Sequence, residues 1–194
     1  AGEVEIFEDP SAKGGAFANM YEGTDTSYGK ITNGKLHAVI DSGSVITFYH
    51  EDGRVLLKEH FRRLRDEESM PLNIMGREYS NGVGDNFRIV ARFVARKGEK
   101  IFGMGQYQQH ELDLKGCMLE LAQRNSQVSV PFYLSSIGYG FLWNNPGVGQ
   151  VMFANNGTEW VTESGKEIDY LVIAGDTPAE IEENYMTLTG KPPM

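Results

Sequence analysis

The chain is divided into short apolar runs by residues that favour tight turns, and the spacing of these turn residues most restricts the fold. Between residues 28 and 60, the pairs Asn33-Gly34 and Asp52-Gly53 separate such runs. Asn-Gly and Asp-Gly pairs tolerate the positive φ angles of two-residue hairpin turns. The segment therefore predicts an antiparallel meander, whose last clear strand is Arg54–Lys58. A loop is predicted at 10–15, and the polar residues 66–85, interrupted by a proline and three glycines, predict irregular structure.

A second hairpin is predicted between residues 123 and 145. Residues 128–135 alternate apolar and more polar side chains, which is the period of a half-buried strand. Pro131 cannot donate a ladder hydrogen bond, so this strand is expected either at a sheet edge or to begin its pairing late. The following strand carries three aromatic residues on one face, and their alternation favours a place in the core: Tyr139, Phe141 and Trp143.

Polar side chains flank this hairpin at both ends, as Gln123–Gln127 before it and Asn144-Asn145 after it. Amide groups beside an aromatic hairpin could line a ligand site. They could equally form solvated turns, because Asn and Ser are common turn residues. Spacing alone favours the turns.

One helix is clearly specified, near the end of the chain. Thr177 is a predicted N-cap, Pro178 occupies the first helical position, and Glu180 completes a capping box. Gly190 is the predicted C-terminal stop, and Pro192-Pro193 prevent continuation. The expected apolar stripe of the helix consists of Ile181, Tyr185 and Leu188. About a dozen short strands and one C-terminal helix predict a mainly β protein, an antiparallel β-sandwich, and 194 residues suffice for a single domain spanning 1–194.

The charge of the chain excludes two classes of partner. Lysine and arginine number 18 against 27 acidic residues, giving a net charge of −9. A nucleic-acid partner or an anionic membrane surface would need a basic patch. The one basic cluster, Lys58–Arg65, is followed at once by Asp66–Glu68. No apolar run reaches the ~18 residues that suggest a membrane-spanning helix.

A single cysteine, Cys117, excludes an internal disulfide, and its strand-like surroundings predict a packed thiol rather than a nucleophile. The lack of disulfides predicts a reducing, cytoplasmic setting. The chain begins with Ala1-Gly2 rather than Met, so its native targeting is left open. Nothing in these patterns opposes a homo-oligomer.

The residue patterns reveal no active site and no cofactor. None of the four histidines, His37, His50, His60 and His110, has the helical i, i+4 spacing of a zinc site, so no metal is expected. Gly103-x-Gly105 lacks the third glycine and the helix of a dinucleotide fingerprint, and it predicts a β-bulge or a close backbone approach instead. Solvated or turn-forming roles are the expectation for the carboxylates beside strands, Asp113, Glu120, Asp169 and Asp176.

The second half of the chain contains an ordered set of motifs. They are Phe102–Gln106, Asp113–Gly116, Gln123–Asn125, Val130–Phe132, Ser135–Asn145, Ile168–Tyr170, Gly175–Ile181, Tyr185 and Leu188–Pro193. As a set they resemble the N-terminal β-sandwich domain of family 31 glycoside hydrolases, the α-glucosidase and α-xylosidase family. The resemblance covers residues 101–194, whereas residues 1–100 carry no motif of their own.

The resemblance implies a galactose mutarotase-like sandwich that precedes a catalytic (β/α)8 barrel. In this family of retaining enzymes, the nucleophile and the general acid are Asp residues of the barrel. They would lie beyond Met194, so the chain is expected to carry no catalytic residue and to be inactive alone. A loop of the sandwich in this family reaches the sugar pocket. Its counterpart here implies substrate-binding roles for Asn125 and, less strongly, Arg124, toward an α-linked glucoside or xyloside.

Two readings from other classes remain open at this point. A free-standing sugar mutarotase or epimerase would need a histidine acid and a glutamate base on one sheet face. A carbohydrate-binding module would need exposed aromatic residues, such as Tyr139 or Trp143, as a stacking platform.

Overall fold

A computed structural model describes residues 3–6, 27–41, 43–64 and 72–191. The expectations for a loop at 10–15, for the charged residues 65–68 and for Pro192-Pro193 lie outside the described residues. The chain forms two compact units, residues 1–59 and residues 60–194. The single domain 1–194 stays a prediction.

The first unit is a five-stranded antiparallel sheet in which the strands follow one another in chain order. Its strands are β1 (Glu3–Ile6), β2 (Ser27–Asn33), β3 (Leu36–Asp41), β4 (Ile46–His50) and β5 (Val55–Lys58). The turns after β2 and β4 contain Gly34 and Gly53 with φ of 55° and 86°. The predicted meander is therefore confirmed.

The second unit contains two large antiparallel sheets and a small two-stranded one, β6 with β7. The strands are β6 (Arg62–Leu64), β7 (Leu72–Ile74), β8 (Arg77–Asn81), β9 (Phe87–Val94), β10 (Ile101–Gln106), β11 (Met118–Leu121), β12 (Val128–Ser135), β13 (Tyr139–Trp143), β14 (Gly149–Phe153), β15 (Gly157–Gly165) and β16 (Tyr170–Ala174). One sheet has the order β10-β12-β13-β16 and the other β11-β14-β15-β9-β8. The prediction of irregular structure over 66–85 is wrong where β7 and β8 form, because pairing with β6 and β9 orders these polar segments.

Aromatic side chains from both sheets form the core between them. Phe141 of β13 stacks on Trp160 of β15 at 5.2 Å between ring centroids, and it meets Phe93 of β9 edge to face at 5.3 Å. Trp143 donates its indole N–H to the Thr162 hydroxyl at 2.9 Å, which joins the sheets inside the core. The β-sandwich with one C-terminal helix is thus confirmed, and the aromatic face of β13 is core.

The β12–β13 hairpin forms as predicted but presents an unexpected face of β12 to the core. Tyr133 and Ser135 are buried, whereas Val128 and Val130 are exposed. β12 lies between β10 and β13, so an edge position is wrong. Its pairing with β13 begins at Phe132, directly after Pro131, so the late start is confirmed on that side, whereas pairing with β10 begins at Val128.

The predicted bulge lies in β10, where Gly103, Met104 and Gly105 all have positive φ and the register against β12 shifts. A Cβ on Gly103 would lie 2.8 Å from the Phe132 carbonyl oxygen. A Cβ on Gly105 would overlap the backbone of Val128. Glycine is therefore required at both positions by conformation and by space.

The helix α1 spans Pro178–Thr189 and begins and ends as predicted. The Thr177 hydroxyl accepts from Glu180 N at 3.2 Å, and Gly190 N donates to Met186 O at 2.9 Å. The Ile181 side chain is buried against Gly140, and Tyr185 stacks on Phe132. The predicted apolar stripe is wrong at its last member, because Leu188 is exposed.

Candidate functional site

The two residues predicted to face substrate lie in a tight turn between β11 and β12. Gln127 N donates to Arg124 O at 3.0 Å, and Ser126 has a φ of 70°. The side chains of Arg124 and Asn125 are exposed. The turn predicted from spacing is therefore present, with Asn125 near its tip, and a substrate contact of Asn125 stays a prediction.

Arg124 forms an ion pair with the carboxylate of Glu120. Both side chains are more than half exposed, so water screens the attraction and the pair contributes little to stability. The guanidinium is nevertheless directed along β11. Asn125 is thus the better placed of the two for contact with a molecule in front of the turn.

The base of this turn is fixed by two side chains that converge on Ser129. The Gln123 amide donates to Ser129 O at 2.8 Å and accepts from Ser129 N at 3.1 Å, in the manner of a strand neighbour. The Tyr107 hydroxyl lies 2.7 Å from the Ser129 hydroxyl and donates to Glu120 O at 3.0 Å. Burial raises the pKa of Tyr107, which keeps the phenol protonated. The turn has an exposed tip on an ordered base, an arrangement that favours pre-organised contact.

An open depression of about 910 Å³ lies beside this base, and we call it the neutral groove. It is lined by 121–123, Ser129, Pro131, 142–148, Tyr185 and Thr189. The groove brings together Gln123 and Asn144-Asn145, the two polar clusters at the ends of the hairpin. Arg124 and Asn125 do not line it.

The amides in the groove are held by neighbouring backbone and side chains. Asn144 donates to the Asp169 carboxylate at 2.5 Å, and Asn145 donates to Asp169 O at 2.9 Å. Ordering of these side chains keeps the rim of the groove in one arrangement. The sequence could not predict that Gln123 and Asn144 line one groove, since this depends on the Gln123–Ser129 bonds and on the pairing of β12 with β13.

Sequence reasoning also missed a buried polar network around Glu99. The Glu99 carboxylate accepts from Ser135 Oγ at 2.7 Å and Tyr139 OH at 2.8 Å, and Lys115 Nζ lies 3.3 Å from its second oxygen. The Tyr133 hydroxyl lies 3.0 Å from that of Tyr139. Burial, followed by the nearby charge of Glu99, raises the pKa of Tyr133. The network ties the β9–β10 turn to the β12–β13 hairpin, which is a structural role.

The geometry disfavours the binding-module reading and gives Glu99 no histidine partner of the kind that a mutarotase needs. Glu99, a buried carboxylate, contacts Lys115 and hydroxyl groups rather than a histidine. Tyr139 and Trp143 are buried, so they form no stacking platform. In the described part of the chain, no group of three or more His, Cys, Asp or Glu could hold a metal ion. No helix among those residues has the length and hydropathy to cross a membrane.

Comparisons with known proteins point to one family of enzymes, although no protein-family model matches the chain. An uncharacterized family 31 glucosidase of Pseudescherichia vulneris is 45% identical over 174 residues, covering 84% of this chain and 33% of that protein. An α-xylosidase of Saccharolobus solfataricus is 34% identical over 117 residues, covering 56% of this chain and 16% of that protein.

A solved structure resembles nearly the whole chain. The crystal structure of a family 31 α-xylosidase from a soil metagenome, complexed with xylose, is 41% identical with a TM-score of 0.79. The match covers 95% of this chain and 26% of that protein. The chain thus spans no more than about a third of the length of these relatives.

Proposed function

The chain matches the N-terminal domain of a family 31 glycoside hydrolase, and on that premise we propose that it is the non-catalytic domain of an α-glycosidase. The observation that carries the proposal is the likeness to the soil-metagenome α-xylosidase over 95% of the chain. Two of the three relatives described above are α-xylosidases, so we propose a terminal α-xyloside as the substrate class of the whole enzyme. An α-glucoside is the second candidate, from the Pseudescherichia vulneris protein.

The roles of the carboxylates support a non-catalytic domain. A retaining glycosidase needs two carboxyl groups about 5–5.5 Å apart that flank the scissile bond. Asp113 instead accepts from Ile101 N at 3.0 Å and from Lys115 N at 3.1 Å, bonds that lower its pKa and fix a turn. Glu120 pairs with Arg124, and the Asp169 carboxylate accepts from Asn144.

We propose that the 124–127 turn is the part of this domain that contacts the substrate. Sugar hydroxyl groups need directed donors and acceptors, and the exposed Asn125 amide supplies both. Its ordered base, with Gln123 on Ser129, would present the amide without a large entropy cost on binding. Arg124 is a weaker candidate because Glu120 already engages its guanidinium.

The experiment is a chimera in which this chain replaces the matching 26% of the soil-metagenome α-xylosidase. We expect no hydrolysis of aryl α-xylosides or α-glucosides by the chain alone, and hydrolysis by the chimera. Turnover by the chain alone would refute a non-catalytic role. Interconversion of sugar anomers by the chain alone, followed by polarimetry, would move the mutarotase reading ahead of this one.

Asn125→Ala tests the turn within that chimera. Loss of one or two hydrogen bonds to a sugar should lower kcat/KM by roughly five- to tenfold. Asn156→Ala is the matched control, because Asn156 is an exposed residue in a different turn of the same unit. Equal kinetics of the two variants would remove Asn125 from the site.

A further inference from the structure

β12 has a strand neighbour on only one side where it begins. It pairs with β10 from Val128 onward, but its pairing with β13 starts only at Phe132. Pro131 lies between these two points and has no N–H to donate toward β13. The sheet therefore has a gap on the β13 side of the first residues of β12.

The Gln123 side chain fills this gap at Ser129. A Cβ on Gly105 would overlap Val128 O and lie 2.8 Å from Val130 N, so these are the β12 groups that face β10. Successive residues of an antiparallel strand direct their backbone groups to opposite sides, so Ser129 N and O point away from β10. The Gln123 amide bonds to both of them, at 3.1 Å and 2.8 Å. One side chain thus makes the two bonds that a residue of β13 would have made.

Tyr107 fixes the same point from the other sheet. Its hydroxyl donates to Glu120 O of β11 at 3.0 Å and lies 2.7 Å from Ser129 Oγ. β11 and β12 belong to different sheets of the sandwich. The phenol therefore joins the two sheets where the chain passes from one to the other.

Residues 124–128 form the loop that these contacts close. Within it, Gln127 N donates to Arg124 O at 3.0 Å, and the exposed Asn125 lies near the tip. Because both ends of the loop are fixed, its backbone is held in one position relative to the sheets. A hydrogen bond to a sugar hydroxyl needs a donor–acceptor distance of roughly 2.7–3.2 Å, so a shift of about half an ångström weakens it.

We propose that Gln123 and Tyr107 are positioning residues for the substrate contact of Asn125. They complete the sheet at Ser129 and thereby hold the loop where the Asn125 amide meets the sugar. The inference rests on the proposed function, since it needs that contact, and it adds the two side chains through which the sheets control it. Ser129 engages the oxygen and one N–H of the Gln123 amide, so Gln123 acts through the loop.

Hydrogen exchange in the chain alone tests these bonds without any catalysis. Gln123→Met keeps the length of the side chain but removes both bonds, so the amides of Gln127 and Ser129 should exchange at least about tenfold faster. Gln108→Met is the matched control, because Gln108 is an exposed glutamine of the β10–β11 loop. Equal exchange in the two variants would overturn the proposal, whatever the kinetics of the chimera.

A double-mutant cycle in the chimera separates positioning from a structural role. Gln123→Met should lower kcat/KM for aryl α-xylosides by about three- to tenfold, approaching the loss in Asn125→Ala. Added to Asn125→Ala, it should lower kcat/KM by less than about twofold further, because the contact that it positions is already gone. Tyr107→Phe should show the same dependence on Asn125. Equal losses with and without Asn125 would identify a purely structural role and overturn the proposal.

Failure of the proposed function gives a different result. Asn125→Ala would then behave like Asn156→Ala, or the chimera would be inactive, whereas exchange at Ser129 would still respond to Gln123→Met. Either result removes the substrate contact and the positioning role with it. The bonds to Ser129 would then be a feature of the fold alone.

Discussion

Replacement of Lys115 by methionine should remove much of the stability of the 60–194 unit. Lys115 Nζ lies 3.3 Å from Glu99 Oε2, and the two side chains are only 11% and 3% exposed. The other carboxylate oxygen accepts from Ser135 Oγ and Tyr139 OH, and these two bonds survive the substitution. Methionine retains most of the aliphatic stem but leaves the buried carboxylate without its cation.

The distance and the burial set the size of the loss. At 3.3 Å, an effective dielectric constant of roughly 20 gives an attraction of about 5 kcal/mol. Removal of one partner from a buried ion pair costs about 3–5 kcal/mol. Because the two hydroxyl groups still stabilise the carboxylate, we expect the free energy of unfolding to fall by about 3–4 kcal/mol.

Urea unfolding followed by tryptophan fluorescence measures this loss, since Trp143 and Trp160 are both fully buried in the 60–194 unit. Lys191→Met is the matched control: Lys191 Nζ lies 4.0 Å from the Glu183 carboxylate, and both side chains are exposed. Its cost should stay below about 0.5 kcal/mol.

A double variant, Glu99→Gln with Lys115→Met, separates charge from packing. It removes both charges and keeps an amide oxygen as acceptor for Ser135 and Tyr139. Its stability should therefore exceed that of Lys115→Met by at least about 1 kcal/mol. A loss of less than about 1 kcal/mol in Lys115→Met would refute the reasoning, because the pair would then behave like an exposed one.

Three further perturbations test other parts of the structure. Gly105→Ala should cost more than about 1 kcal/mol in urea unfolding, because the residue has a φ of 94° and an added methyl group would overlap β12. Burial raises the pKa of Tyr133 and Tyr139, so the unfolded state releases their protons first. The contribution of these two protonated phenols to the free energy of unfolding should be fully present below about pH 10. Above that pH the free energy of unfolding should fall by up to about 1.4 kcal/mol per pH unit for each tyrosine, and Tyr133→Phe should reduce this slope. Tyr107→Phe should speed hydrogen exchange at 124–127 several-fold with exchange in β9 unchanged.

The features that the sequence predicts correctly are those fixed by local chemistry. Asn33-Gly34 and Asp52-Gly53 specify their turns because few other residues adopt positive φ at low cost. Thr177 specifies the start of α1 because its hydroxyl satisfies a backbone N–H that has no partner within the helix. Neither signal depends on distant parts of the chain.

The features that it misses depend on tertiary partners. The core face of β12 carries Tyr133 and Ser135 because their hydroxyl groups have buried partners there: Ser135 bonds to the Glu99 carboxylate, and Tyr133 reaches it through the Tyr139 hydroxyl. Alternation shows two faces but not which of them such a carboxylate will meet. The site follows the same rule: the turn at Asn125 is predictable from its residues, whereas the neutral groove exists only once Gln123 and Asn144 are brought together.

The error in the helix prediction has the same cause. Helical periodicity places Ile181, Tyr185 and Leu188 on one face, and the sandwich covers the first two. Periodicity shows which residues share a face of the helix. The extent of the sandwich surface beneath α1 decides how many of those residues are covered, and Leu188 lies past that cover at 64% exposure.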